Sequence, residues 1–125
     1  MSALRNILCI EDDPDIQMVL NLALTELGDL TVAFCNTAKA ALETLAKTHP
    51  DLILMDLRLP DSDGHDLFHK IQAMTESNPV PVVVITAARA SRLSEEIAGL
   101  IHKPFDPMIL AEQLETFFHA FHKAR

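Results

Sequence analysis

The sequence predicts a doubly wound α/β domain: five parallel strands in the order 2-1-3-4-5, alternating with five helices of which the fourth is short. Two observations predict it. Five short apolar runs, at residues 7–10, 30–34, 52–55, 82–85 and, more weakly, 100–101, are separated by segments of helical periodicity. Three of those runs are unbroken rather than alternating, as expected of strands covered on both faces. Such alternation builds a parallel sheet through right-handed crossovers, with helices packed on each side.

The helices follow in order. Ile16, Val19, Leu20, Ala23, Leu24 and Leu27 mark the first by their i, i+3, i+4, i+7 spacing. Asp13 is placed to cap it, Pro14 suits its first turn, and Gly28 suits its stop. Ala38, Ala41, Leu42 and Leu45 mark the second, with Asn36 as the expected cap. Leu67, Phe68, Ile71 and Met74 follow Asp63 and Gly64 in the third. A short, poorly patterned fourth covers residues 91–98. The last opens at Asp106 and Pro107 and carries Leu110, Leu114, Phe117, Phe118 and Phe121. With no linker or repeat between them, these elements form one flavodoxin-like domain over 1–125, and no effector domain is expected in the chain.

Composition excludes several classes. A net charge of −8 opposes a nucleic-acid surface, which needs clustered Lys and Arg. Aromatic residues are 5% of the chain, with no Trp or Tyr, so base-stacking platforms are missing as well. No apolar run reaches the roughly 20 residues of a membrane helix, and residues 1–6 lead into a short mixed segment, so a signal peptide is not expected. Cys9 and Cys35 lie inside apolar segments and read as reduced core residues, which fits a cytoplasmic protein. His65 with His69, and His119 with His122, have helical spacing, but no further ligand completes a zinc site around them.

In a doubly wound sheet ligands bind beyond the carboxyl ends of the strands. Four strand ends here carry chemistry. The first ends in Glu11-Asp12-Asp13, the third in Asp56, the fourth in Thr86, and the fifth in His102-Lys103-Pro104. Carboxylates gathered on one rim repel one another, and a divalent cation relieves that conflict. Oxygen ligands suit Mg²⁺, which is usually held by one or two carboxylates plus phosphate oxygens and water. A carboxylate beside such a metal can accept a phosphoryl group, and an amine and a hydroxyl can hold its remaining oxygens.

On these stretches the chain resembles the response-regulator receiver family. The matching segments are Ile7-Leu8-Cys9-Ile10-Glu11-Asp12-Asp13, Asp51-Leu52-Ile53-Leu54-Met55-Asp56, Leu59-Pro60-Asp61-Ser62-Asp63-Gly64, Val84-Ile85-Thr86-Ala87 and His102-Lys103-Pro104-Phe105, in the family's order. The resemblance implies that Asp56 is the phosphorylated aspartate and that Asp12 binds Mg²⁺ directly, with Glu11 acting through water. It also implies a metal contact from the backbone carbonyl of Arg58, a switch hydroxyl on Thr86, a phosphoryl-binding Lys103, and a cis bond before Pro104. The implied donor is a sensor histidine kinase or phosphotransfer protein. Output would run through contact with a downstream protein, from a monomer or weak dimer, without nucleic acid or membrane. Phosphorylation and its reversal would be the chain's only chemistry, so no enzyme of independent turnover is expected.

Two departures bear on output rather than on chemistry. The interval from Thr86 to Lys103 is shorter than the family's usual one, which implies a fourth helix truncated or replaced by a loop. Leu100 stands where the family carries an aromatic ring, so a switch by ring rotation is not available. Arg58 and Ala88, each two residues past Asp56 and Thr86, would flank a water attacking the phosphoryl group. A pseudo-receiver, with the fold but no phosphorylation switch, is the alternative. An aspartyl phosphatase is a weaker one, because Arg58 stands where such enzymes place a second acid.

Overall fold

The computed structural model describes residues 3–87 and 96–124. Its centre is a five-stranded sheet in which β1 (Asn6–Ile10), β2 (Thr31–Cys35), β3 (Leu52–Met55), β4 (Val82–Thr86) and β5 (Gly99–His102) lie in the order β2-β1-β3-β4-β5. Every pairing is parallel. The register sets Ile10 beside both Cys35 and Met55, and Thr86 beside His102, so the carboxyl ends share one rim.

Burial explains why three runs lack alternation. β3 and β4 are buried at every position and β1 at all but Asn6, because helices cover both faces. Alternate residues of β1 serve opposite cores. Ile7 and Cys9 pack with Leu20, Leu24, Leu114 and Phe118. Leu8 and Ile10 pack with Ala41, Leu67 and Ile71. The edge strand β2 is half-exposed along its length until Cys35. Both cysteines are free and buried, as their apolar surroundings implied.

The described residues contain four α-helices rather than five. α1 (Pro14–Asn21) is capped by Asp13, whose carboxylate accepts from the Asp15 and Ile16 amides. It runs on into a π-helical turn, Leu22–Glu26, closed by Leu27 N–H donating to Leu22 C=O at 3.0 Å. Gly28 does not supply a left-handed stop; Asp29 takes that conformation with φ 57°. Gly28 is there for space, since a Cβ on it would fall 2.6 Å from Ala111 Cβ.

α2 (Ala38–Leu45) is capped by Thr37, whose hydroxyl accepts from Ala40 N–H at 3.1 Å, and not by Asn36. Asn36 is one residue too early to reach the first turn and bonds elsewhere. α3 (Gly64–Met74) is capped by Asp63, whose carboxylate accepts from the His65 amide. α4 (Leu110–Lys123) begins after a turn over 107–109 rather than at Pro107. Most of the predicted fourth helix, residues 91–95, lies outside the described residues, as does Ala88; the described residues 96–98 are turn and bend. A two-residue antiparallel ladder joins Arg58–Leu59 to Ser62–Asp63, which no periodicity announced. Among the described residues no helix is long and apolar enough to cross a membrane.

Candidate functional site

The parallel register delivers the chemistry-bearing residues to one place. Glu11 follows β1 directly and its amide donates to Cys35 C=O at 3.0 Å. Asp56 follows β3, with its amide on Ile10 C=O at 3.1 Å. Lys103 follows β5, with its amide on Thr86 C=O at 3.0 Å. Each backbone is thus anchored to the neighbouring strand before its side chain is considered.

The side chains then meet. Lys103 Nζ donates to Asp56 Oδ2 at 2.7 Å and to Glu11 Oε1 at 2.8 Å. Glu11 is 1% exposed and Asp56 7%, so the ammonium bridges two acids that water barely reaches. The remaining oxygens are also engaged. Asp56 Oδ1 accepts from Arg58 N–H at 3.1 Å, and Glu11 Oε2 accepts from Asp13 N–H at 3.2 Å. Asp12 stands just outside this bridge, exposed at the rim. Thr86 is fully buried beside it.

One cation serving two buried carboxylates leaves negative charge uncompensated. Burial pushes the Glu11 carboxyl above its usual range, although Lys103 and the Asp13 amide pull it down. For Lys103, burial works against the charge, yet its bonds to Asp56 and Glu11 outweigh that and raise its proton affinity. These residues suit a hard divalent cation. The donors are all oxygen, and Asp12 and Asp56 together with the Arg58 carbonyl would hold it. Among the described residues no group of three or more His, Cys, Asp or Glu is placed to hold a metal ion, so Glu11, Asp12 and Asp56 do not form one such cluster.

The structure therefore brings together Glu11, Asp56 and Lys103, and sets Asp12, Thr86 and the Arg58 backbone around them. The Arg58 side chain is exposed. The Lys103–Pro104 bond is cis. Leu100 is half-buried against the core shared with α2 and α3. Two polar residues escaped the sequence reading. Gln17 donates from its amide nitrogen to the Glu11 carbonyl and to Asn36 Oδ1, the latter at 2.8 Å. Asp61 accepts from the Ala38 and Lys39 amides at 2.8 and 3.1 Å, which lowers its proton affinity and ties the loop after Asp56 to the start of α2. Gln17 had one visible signal, a polar residue on the inner side of α1 a turn beyond the acids. Asp61 had none, since its partners lie more than 20 residues away.

A family model described as the response regulator receiver domain matches residues 7–115. Over 124 residues the chain is 28% identical to an uncharacterized 14.6 kDa protein of Leptolyngbya boryana, spanning 95% of this chain and 94% of that one. Over 107 residues it is 34% identical to the DNA-binding transcriptional regulator NtrC of Proteus hauseri, spanning 81% of this chain and 22% of NtrC. The chemotaxis response regulator CheY4 of Vibrio cholerae superposes with a TM-score of 0.80 at 20% identity, covering 92% of this chain and 99% of that one, a likeness of fold.

Proposed function

The chain belongs to the response regulator receiver domain family of two-component systems, and from that premise we propose that Asp56 accepts a phosphoryl group from a sensor histidine kinase or phosphotransfer protein. The observation that carries the reading is the bridge of Lys103 Nζ to Asp56 Oδ2 and Glu11 Oε1. It supports the reading because the Asp56 carboxylate, an ammonium and a second acid meet at one strand-end rim.

In the proposed step an Asp56 carboxylate oxygen forms a bond to phosphorus while the bond from phosphorus to the donor histidine nitrogen breaks. The products are an acyl phosphate and a free imidazole. Lys103 leaves its carboxylate partner to hold a phosphoryl oxygen, and the Thr86 hydroxyl takes another. A bound Mg²⁺ would neutralise charge on the acids and the phosphoryl oxygens. The only chemistry is acquisition and loss of this group, without independent turnover. Output runs through a changed protein-binding surface in the cytoplasm, from a monomer or weak dimer, with no nucleic acid or membrane engaged by this chain.

The test is intact-mass spectrometry after incubation with Mg²⁺ and acetyl phosphate, with Asp56→Asn and metal-free controls. One added phosphoryl mass that requires both Asp56 and Mg²⁺ is the expected result. No added mass under any condition sinks the phosphoacceptor reading and leaves a constitutive binding module.

A further inference from the structure

Asp12 is exposed, so the direction in which it offers its carboxylate depends on how its backbone is held. Both peptide groups flanking it are tied. On one side the Glu11 carbonyl accepts from Gln17 Nε2. On the other the Asp13 amide donates to Glu11 Oε2 at 3.2 Å. Gln17 is itself fixed from two directions. Its amide nitrogen also donates to Asn36 Oδ1 at 2.8 Å, and its backbone amide donates to Asp13 C=O at 2.9 Å. A carbonyl can only accept and an amide nitrogen only donate, so this orientation of the side chain is the one that satisfies both partners. The result is a continuous polar link from the end of β2, through Asn36 and Gln17, to the peptide that carries Asp12.

We propose that Gln17 is a positioning residue for divalent-cation binding, fixing through the Glu11 carbonyl the direction of the Asp12 carboxylate. The proposal rests on the reading of Asp12 as a cation ligand given above. Groups that orient metal ligands without touching the metal commonly change affinity about 10- to 100-fold when removed. Gln17 acts through backbone, so the lower end, about tenfold, is expected. A Gln17 that merely tied α1 to β2 would change stability and leave affinity untouched.

The experiment is a titration of the whole chain with MgCl₂ alone, followed by amide chemical shifts. Gln17→Met keeps the reach and loses the donor, and Gln17→Asn keeps an uncharged donor on a shorter stem. Asp12→Asn and the Asp12→Asn/Gln17→Met double variant complete the set. Gln17→Met should raise the Mg²⁺ Kd about tenfold while Gln17→Asn, which keeps an uncharged donor, recovers part of the loss. In the Asp12→Asn background Gln17→Met should add nothing, because the group it positions is gone. A Kd for Gln17→Met within about twofold of the parent, or an undiminished loss in the Asp12→Asn background, overturns the proposal. An Asp12→Asn Kd equal to the parent's overturns the ligand reading itself, and the proposal with it. Should Gln17→Met not fold, Gln17→Leu, which also lacks the donor, decides in both backgrounds, a Kd within about twofold of the parent with Asp12 present counting against the proposal.

Discussion

Replacing Lys103 by Met tests whether the bridge is an energetic feature of the folded state or only a geometric one. Methionine keeps much of the length and apolar stem but removes the charge, leaving Glu11 at 1% and Asp56 at 7% exposure without their ammonium. Removing one partner of a buried ion pair costs about 3–5 kcal/mol, because the remaining charge stays desolvated. Asp56 keeps the Arg58 amide and Glu11 the Asp13 amide, which argues for the lower figure, about 3 kcal/mol at neutral pH. That is a large share of the roughly 5–15 kcal/mol holding a domain of this size.

The variant has one escape, which is to bind a proton in place of the ammonium. If it does, its folded state holds one proton more than its own unfolded state, a difference the parent lacks, and its stability falls relative to the parent by about 1.4 kcal/mol per pH unit as pH rises. The parent's own Glu11 works in the same sense. A carboxyl whose folded proton affinity is raised costs nothing below its unfolded range and destabilises progressively as pH climbs through the folded one. The Lys103→Met deficit should therefore shrink by up to about 2.7 kcal/mol over two pH units of acidification. Urea unfolding followed by far-ultraviolet circular dichroism measures this, since the chain has no Trp or Tyr to report by fluorescence. Equal stability of parent and variant at neutral pH, or a deficit independent of pH, refutes the reasoning.

Two further outcomes follow from single positions. Gly28→Ala should destabilise by about 2 kcal/mol, because the added Cβ meets Ala111 Cβ at 2.6 Å and the Leu24 carbonyl at 2.8 Å, and that overpacking exceeds the roughly 0.4–1 kcal/mol of unfolded-state entropy alanine normally contributes; an unchanged urea midpoint would show that α4 moves aside freely. Arg58→Ala keeps the backbone bond to Asp56 and removes only an exposed guanidinium, so the phosphorylated protein should lose its phosphoryl group about threefold faster, equivalent to about 0.7 kcal/mol of exposed ion pairing. Decay of the intact-mass signal reads it, and an unchanged rate removes the guanidinium from any role in phosphate lifetime.

The strand ends were legible because parallel pairing is restrictive. Once residues 7–10, 52–55 and 82–85 are read as buried parallel strands, the residues that follow them must share a rim, and Glu11, Asp56 and Thr86 are placed without knowledge of any loop. Local capping was legible at α1, where Asp13 directly precedes Pro14 and the apolar periodicity. It failed at α2, because Asn36 and Thr37 are both good caps and a one-residue shift at the end of β2 decides between them. The π-helical turn at Leu22–Glu26 keeps the apolar face of α1 nearly intact, so periodicity passes over it.

The other illegible features share one physical kind: bonds from a polar side chain to a group distant in sequence. Asp61 to α2, Gln17 to Asn36, and the double bond of Lys103 leave no periodic trace, because each involves one residue rather than a face. Yet these bonds couple the rim to the elements around it. Asp61 holds the loop after Asp56 against α2, and the Lys103 amide holds β5 to Thr86. A phosphoryl group that drew Lys103 and Thr86 toward Asp56 would pull on β4 and β5 through that backbone bond. With Leu100 half-buried on β5 and no ring there to rotate, any displacement reaching the surface would do so as a shift of strand and loop. Lys103 and Thr86 would thus serve both the rim and the path away from it, while Leu100 would set the form that a displacement takes.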